Sequence, residues 1–337
     1  MRAVAYKTPQ PISAETSLID VELPMPEAGG HDLLVEIKAV SVNPVDVKVR
    51  AHSAPPAGEL KVLGWDAAGI VKAIGADVTL FGPGDEVFYS GVISRPGSNA
   101  EFHLVDERIV GTKPKSLDFA AAAALPLTSI TAYEALFDRL KVQDAVSGAG
   151  RAILIIGGAG GVGSIAIQIA RALTDLTVIA TASRPETRDW VKELGAHHVV
   201  DHSRPIAPQV AALGIGAPGF IFSTTNTDSH IGDIVEAIAP QGRFALIDDP
   251  KMLDIVPFKR KAVSVHWELM FTRPLYGTPD MIEQHKLLNK ISELIDAGKI
   301  RTTLSEIVGP INAANLQTAH AMVESGRMKG KAVLAGF

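Results

Sequence analysis

Ile155-Ile156-Gly157-Gly158-Ala159-Gly160-Gly161-Val162-Gly163, running on into Ser164-Ile165-Ala166-Ile167-Gln168-Ile169-Ala170, carries the spacing G-x-G-x-x-G at Gly158, Gly160 and Gly163. Alone, that spacing describes only a tight glycine-rich turn. Here the apolar run Ala152–Ile156 precedes it, a helical stretch follows, and a second apolar run begins at Thr177. Strand, turn, helix and strand are the setting the motif requires. Glycine at 158 and 160 lets the backbone turn and approach a pyrophosphate with no Cβ in the way. The helix N-terminus adds unpaired N–H groups and the positive end of its dipole. Gly163 lets the helix press against the strand. Gly158, Ala159, Gly160, Gly161, Val162 and Gly163 are therefore assigned to a dinucleotide.

Downstream, apolar strands alternate with helical stretches of about a dozen residues. The strands read Ala152–Ile156, Thr177–Thr181, His198–Asp201, Phe220–Ser223, Phe244–Ile247 and Val263–Trp267. Continuous apolar strands separated by helices predict a parallel sheet covered on both faces, and six of them predict a doubly wound nucleotide-binding fold. Pro185 and Gly195 bracket one helix, Glu186–Leu194, as a first-turn proline and a C-terminal glycine should. Another helix is expected over Met281–Ala297, before Gly298, and Lys331–Leu334 reads as a strand that rejoins the first part of the chain.

The second strand of the doubly wound unit decides between NAD and NADP. An acidic residue about 20 positions beyond the glycines normally holds the ribose 2′-hydroxyl. The chain instead has Ala180-Thr181-Ala182-Ser183-Arg184-Pro185. A carboxylate would repel a 2′-phosphate, whereas a guanidinium pairs with it. Ser183 and Arg184 therefore favour NADP(H), although a solvated arginine would look the same in sequence.

Upstream, the texture is different. Short β-rich runs such as Leu33–Val40, Ala67–Ile74 and Glu86–Tyr89 are punctuated by Gly and Pro, as in Phe81-Gly82-Pro83-Gly84-Asp85, predicting an irregular β-barrel-like domain. At 337 residues, with 47% hydrophobic and 20% charged residues, the chain suits two globular domains. Its net charge of −5, without acidic or basic blocks, offers no footprint for nucleic acid or an anionic membrane. No run is seen to approach the ~18 apolar residues that span a bilayer, and Met1–Tyr6 reads as a strand rather than a signal peptide, so a cytoplasmic location is expected. There are no cysteines, which excludes disulfides and thiolate zinc sites alike.

Together these residues resemble the medium-chain dehydrogenase/reductase superfamily over nearly the whole chain, and within it the quinone oxidoreductase branch, including zinc-type alcohol dehydrogenase-like proteins. Val42-Asn43-Pro44-Val45-Asp46, Leu63-Gly64-Trp65-Asp66-Ala67-Ala68-Gly69, Gly84-Asp85-Glu86-Val87, Leu127–Leu136 and the glycine turn carry the resemblance, in that order. It implies an α/β fold in which a Rossmann domain (residues 126–272) is inserted into a GroES-like, β-rich catalytic domain (residues 1–125 and 273–337), with the active site in the cleft between them. The positions that would supply a catalytic zinc hold Asn43, Trp65 and Leu127, none of them an expected ligand. Ser90–Ser98 likewise lacks the cysteines of a structural-zinc lobe. An alternative metal site from Asp46, Asp66, His52 or His103 can be drawn, but lone carboxylates and histidines are more often hydrogen-bonded or solvated.

The resemblance further implies that Asn43 lines the nicotinamide end and that Thr128 contacts the cofactor from the start of its helix. It places Phe271 and Arg273 beside nicotinamide and substrate. Trp65 is a candidate apolar wall or a core residue; Tyr89 is a candidate donor to a substrate oxygen or a capped barrel residue. Ser223 and Thr224, after the fourth strand, could meet the nicotinamide ribose, and Lys331 could reach a cofactor phosphate. His197, His198 and His202 read as structural or exposed. The expected activity is NADPH-dependent, zinc-independent reduction of a small electron-poor substrate, a quinone or a double bond conjugated to a carbonyl, by hydride transfer. Two rivals stand beside it: an alcohol dehydrogenase with a non-standard metal site, and an NADPH-binding protein without turnover. The sixth strand, Val263–Trp267, would lie at the sheet edge and pair in a homodimer.

Overall fold

The computed structural model describes residues 1–337, and the chain divides into two compact units: Met1–Ile130 together with Phe271–Phe337, and Thr131–Met270. The second unit is built on a six-stranded sheet. In spatial order its strands are His198–Val200, Thr177–Thr181, Gly150–Ile156, Pro218–Ser223, Arg243–Leu246 and Ser264–Trp267. Every pairing is parallel. The chain order is thus 3-2-1-4-5-6, the doubly wound arrangement expected from six apolar runs. Leu154, Ile179, Ile221, Phe244 and Leu246 are fully buried in its core. The outermost strand, Ser264–Trp267, is only half covered, and Trp267 is exposed.

The first unit is mainly antiparallel. Asp32–Ser41 alternates half-buried and buried residues, the period-2 pattern of a strand with one face on a core. It pairs with Asp66–Ile74 on one side and with Phe102–Asp106 and Lys331–Ala335 elsewhere along its length. The closing strand Lys331–Ala335 therefore does rejoin the first part of the chain, and Leu304–Gly309 pairs parallel to it. A separate three-stranded sheet joins Ile19–Glu22, Arg2–Tyr6 and Lys61–Val62. The helix expected over Met281–Ala297 forms over Glu283–Asp296.

The helical stretch Phe119–Arg139, 21 residues, is long and apolar enough to cross a membrane by length and composition. Thr128, Ser129 and Thr131 interrupt its apolar run. Its apolar window is 83% buried inside the protein, which makes it a core helix.

Candidate functional site

In the second unit, Gly157 leaves the first strand at φ +79°, the left-handed region where a side chain is strained, and a Cβ there would strike Thr224 Oγ1 at 2.3 Å. At Gly158 a Cβ would lie 2.9 Å from the Ala180 Cβ, and at Gly163 it would lie 2.3 Å from the Gly157 carbonyl oxygen. The protein itself demands glycine at these three places. Gly160 is different. It sits in ordinary extended backbone (φ −68°, ψ 174°), and its nearest neighbour to a new Cβ is 3.5 Å away. Nothing in the chain needs that space, so it is a cradle a side chain would fill and a ligand can use.

Helix Gly161–Leu173 opens directly on it, with no acidic residue in its first turn. The first N–H groups of a helix have no partner within it, so those of Gly161, Val162 and Gly163 could hold an anion. Ala159 helps fix the turn: its carbonyl accepts from the Ser164 hydroxyl at 3.2 Å, and Trp190 Nε1 donates to the same Ser164 oxygen at 2.8 Å. These residues fit a pyrophosphate.

Thr181, buried at the end of the second strand, pins the turn from the side. Its hydroxyl accepts from the Gly157 N–H at 3.0 Å, and its carbonyl accepts from the Gly158 N–H at 3.2 Å. Ser183 and Arg184 follow at the same end, half-buried, and Arg184 precedes helix Pro185–Glu193. No carboxylate caps this strand. Glu186 lies out along the helix, 3.3 Å from Arg184 Nε. A second guanidinium, Arg188, donates to the Ala182 carbonyl at 3.3 Å. Sequence reading passed over Arg188, although its place one helical turn beyond Arg184 was a usable signal.

The fourth strand delivers Ser223 and Thr224 with different fates. Thr227 gives its hydroxyl proton to Asp248, so the Ser223 proton must go to the Thr227 oxygen, 2.8 Å away. Ser223 thereby spends its proton inside the protein. Thr224 is half-buried at the glycine turn, and its hydroxyl donates to the Ile156 carbonyl at 2.9 Å.

In the first unit, the positions expected to hold zinc form a buried hydrogen-bond network instead. Asn43 Nδ2 donates to Asp66 Oδ2 at 2.7 Å, and the Leu127 N–H donates to Asp66 Oδ1 at 2.7 Å. Lys331 Nζ donates to the Val42 carbonyl at 3.0 Å, to Asp66 Oδ2 at 3.1 Å and to Asn43 Oδ1. Its three protons are all used. Lys331, read as reaching for a cofactor phosphate, is turned inward by the buried Asp66 charge it neutralises. Asn43 is buried with both ends of its amide engaged.

Asp46 closes the same region, accepting from the N–H groups of Asn43 (2.8 Å) and Gly64 (2.9 Å). Burial pushes its carboxyl up to about 7 despite those two bonds. Asp46, Asp66, His52 and His103 do not gather into a group of three side chains that could hold a metal ion.

Trp65 is fully buried, donates to the Val92 carbonyl at 3.1 Å, and meets Phe271 edge-on at 6.1 Å. It is a core residue. Tyr89 stacks on His103, and its oxygen lies 2.9 Å from His103 Nδ1. His103 Nε2 faces the Pro96 carbonyl at 3.0 Å and must carry the ring proton, so Tyr89 donates to Nδ1. Of the two readings of Tyr89, this is the arrangement of a capped barrel residue: its proton is placed within the protein, and burial raises its pKa. The Thr128 hydroxyl likewise donates to the Leu125 carbonyl at 3.1 Å. Arg273 Nε pairs with Asp280 at 3.0 Å.

Comparison with known proteins agrees with this architecture. Residues 29–115 match the alcohol dehydrogenase GroES-like domain, and residues 161–288 match the zinc-binding dehydrogenase family. A zinc-type alcohol dehydrogenase-like protein of Staphylococcus aureus is 40% identical over 336 residues, 99% of each chain. The 2-methylene-furan-3-one reductase of Solanum lycopersicum is 28% identical, covering 96% of this chain and 76% of its own. Among crystal structures, a candidate zinc-dependent alcohol dehydrogenase from Rhizobium etli CFN 42 is 68% identical, with a TM-score of 0.99 over 100% of this chain and 98% of its own. The quinone oxidoreductase of Coxiella burnetii follows the same fold at 26% identity and TM-score 0.79, over 100% of this chain and 99% of its own. With its GroES-like and Rossmann parts both matched, the chain belongs to the medium-chain dehydrogenase/reductase superfamily of oxidoreductases, among the zinc-type alcohol dehydrogenase-like proteins.

Proposed function

We propose that the chain is an NADPH-dependent reductase of quinones or carbonyl-conjugated double bonds, working without zinc. One observation carries the reading. The open cradle at Gly160 lies under a helix N-terminus, beside a strand end that offers Arg184 and Arg188 and no carboxylate. The amides of Gly161, Val162 and Gly163 hold the pyrophosphate, Ser183 and Arg184 hold the 2′-phosphate, and Thr181 and Thr224 keep the turn in shape. When bound, the cofactor supplies a hydride to the electron-poor carbon.

Zinc independence rests on the residues themselves. Asn43, Trp65 and Leu127 stand at the ligand positions, and the neighbouring carboxylates are already satisfied by Lys331 and backbone amides. Tyr89, Thr128, Asn43 and Lys331 all use their donors internally, so we assign the proton that completes the reduction to water. The substrate class follows the relatives named as a quinone oxidoreductase and as a 2-methylene-furan-3-one reductase. We place the working form in the cytoplasm as a homodimer that adds one edge strand Ser264–Trp267 to another. Exposed Trp267 and Leu269 support that contact, and light scattering showing only monomer would refute it.

Oxidation of NADPH followed at 340 nm with a quinone and an enone, before and after chelation, tests the activity. Turnover that survives chelation supports the proposal. Turnover abolished by chelation and restored by zinc supports a metal-dependent alcohol dehydrogenase. No turnover with any acceptor supports a second reading, an NADPH-binding protein, which the internal commitment of every expected donor favours.

A further inference from the structure

The strands Thr177–Thr181 and His198–Val200 are neighbours, paired Thr181 to Val200, and both run toward the glycine turn. Two residues past Val200 stands His202, and three past Thr181 stands Arg184. His202 Nδ1 lies 3.2 Å from the Thr181 hydroxyl, the same oxygen that accepts the Gly157 N–H. With the ring proton on Nε2, that hydroxyl gives its proton to Nδ1. Nε2 has no hydrogen-bond partner in the chain, and the ring is half-buried, so it is neither a packed core residue nor a freely solvated one.

We infer that His202 completes the site for the ribose 2′-phosphate and takes up a proton when the phosphorylated dinucleotide binds. This rests on the NADPH reading above. The reason is electrostatic. Burial, the edge of His230 at 6.3 Å and the Arg184 charge hold His202 neutral, and Asp201 alone among its neighbours opposes them. Arg204 draws on Asp201 at 3.3 Å, and Glu186 on Arg184. Burial lowers the pKa of His230 as well, against Asp233, Asp228 and Asp248, and His230 repels the His202 proton only when it carries one itself. A phosphate dianion arriving beside Arg184 neutralises the repulsion that keeps His202 uncharged and accepts from Nε2–H. The imidazolium then donates Nδ1–H to Thr181, whose oxygen has a second lone pair for it. The dinucleotide without the phosphate brings no such charge. Both the selectivity for the phosphate and the setting of the turn thus pass through one ring.

Calorimetric titration with NADPH and with NADH, in two buffers of different ionisation enthalpy near pH 7, reads the proton directly. The expected result is net proton uptake by the wild-type protein with NADPH and none with NADH. The NADPH Kd should also tighten about fivefold from pH 8 to 6.5. His202→Asn keeps an acceptor for Thr181 but cannot take up the proton, and should bind NADPH with no uptake. His202→Gln serves as a second variant should the first fail to fold. NADPH preferred over NADH with equal proton uptake in wild type and variants would overturn the role of His202 alone. Equal wild-type affinity for NADPH and NADH would overturn the cofactor reading and this inference together.

Discussion

The ammonium of Lys331 and the carboxylate of Asp66 lie 3.1 Å apart, with side chains 4% and 0% exposed, and join residues 265 positions apart in the chain. Removing one member of a buried pair leaves the other charge uncompensated, at a cost of roughly 3–5 kcal/mol. Lys331→Met should therefore destabilise the protein by about that much in urea denaturation. Adding Asp66→Asn should recover part of it, because the two residues are coupled. A Lys331→Met protein of unchanged stability but weakened NADPH binding would return Lys331 to a phosphate site.

Gly160 and Gly163 look alike in the motif and differ in the protein. A methyl at 163 meets the Gly157 carbonyl oxygen at 2.3 Å, while one at 160 has 3.5 Å of clearance. Gly163→Ala must push the helix off the strand and should lower the melting temperature. Gly160→Ala should melt with the wild type, yet bind NADPH at least tenfold more weakly, because its methyl occupies the pyrophosphate cradle. Thermal melts paired with fluorescence titrations decide it. Equal NADPH affinity for Gly160→Ala and wild type would move the dinucleotide elsewhere.

Why was the sheet legible and the buried network not? Apolar runs such as Gly150–Ile156 and Thr177–Thr181 are local signals, because strands covered on both faces leave no room for polar residues. The glycine turn was legible because its spacing is local, although Thr224 and Ala180 supply two of its closest contacts. The partners of Lys331, Asn43, Tyr89 and Ser223 were not legible, because a side chain's partner is a tertiary fact. In sequence, Lys331 is an available cation; only the strand pairing of Ser41 with Val333 brings it to Asp66. His202 was set aside as structural or exposed, since nothing local shows that its strand ends beside Arg184.

Arg184 tests cofactor choice. A charge-assisted hydrogen bond contributes about 1.5–3 kcal/mol, so Arg184→Ala should lose roughly ten- to a hundredfold in NADPH affinity. NADH affinity should change little, since that cofactor has no 2′-phosphate for the guanidinium to hold. Arg184→Glu should invert the preference, as a carboxylate can accept from a 2′-hydroxyl. The Kd ratio of the two cofactors is the readout. An unchanged ratio in Arg184→Ala would leave Arg184 a solvated arginine paired to Glu186.

His103 should make the protein sensitive to acid. Burial, outweighing its bond to the Pro96 carbonyl, depresses the folded-state pKa from 6.5 to about 4. Between those values the unfolded chain binds a proton that the folded chain refuses, so stability rises with pH across this window. The contribution is fully present above about pH 6.5 and is lost as pH falls through 4, on the order of 3 kcal/mol. His320, held to about 3 by burial and by Arg50, adds to the same slope. His103→Gln should flatten the dependence of the urea midpoint on pH between 4 and 6.5. Tyr89→Phe should act differently. It removes the donor to Nδ1 and costs about 1–3 kcal/mol for a buried unsatisfied nitrogen, while kcat for quinone reduction stays near wild type. A Tyr89→Phe protein that keeps its stability and loses its turnover would put the phenol back in contact with substrate.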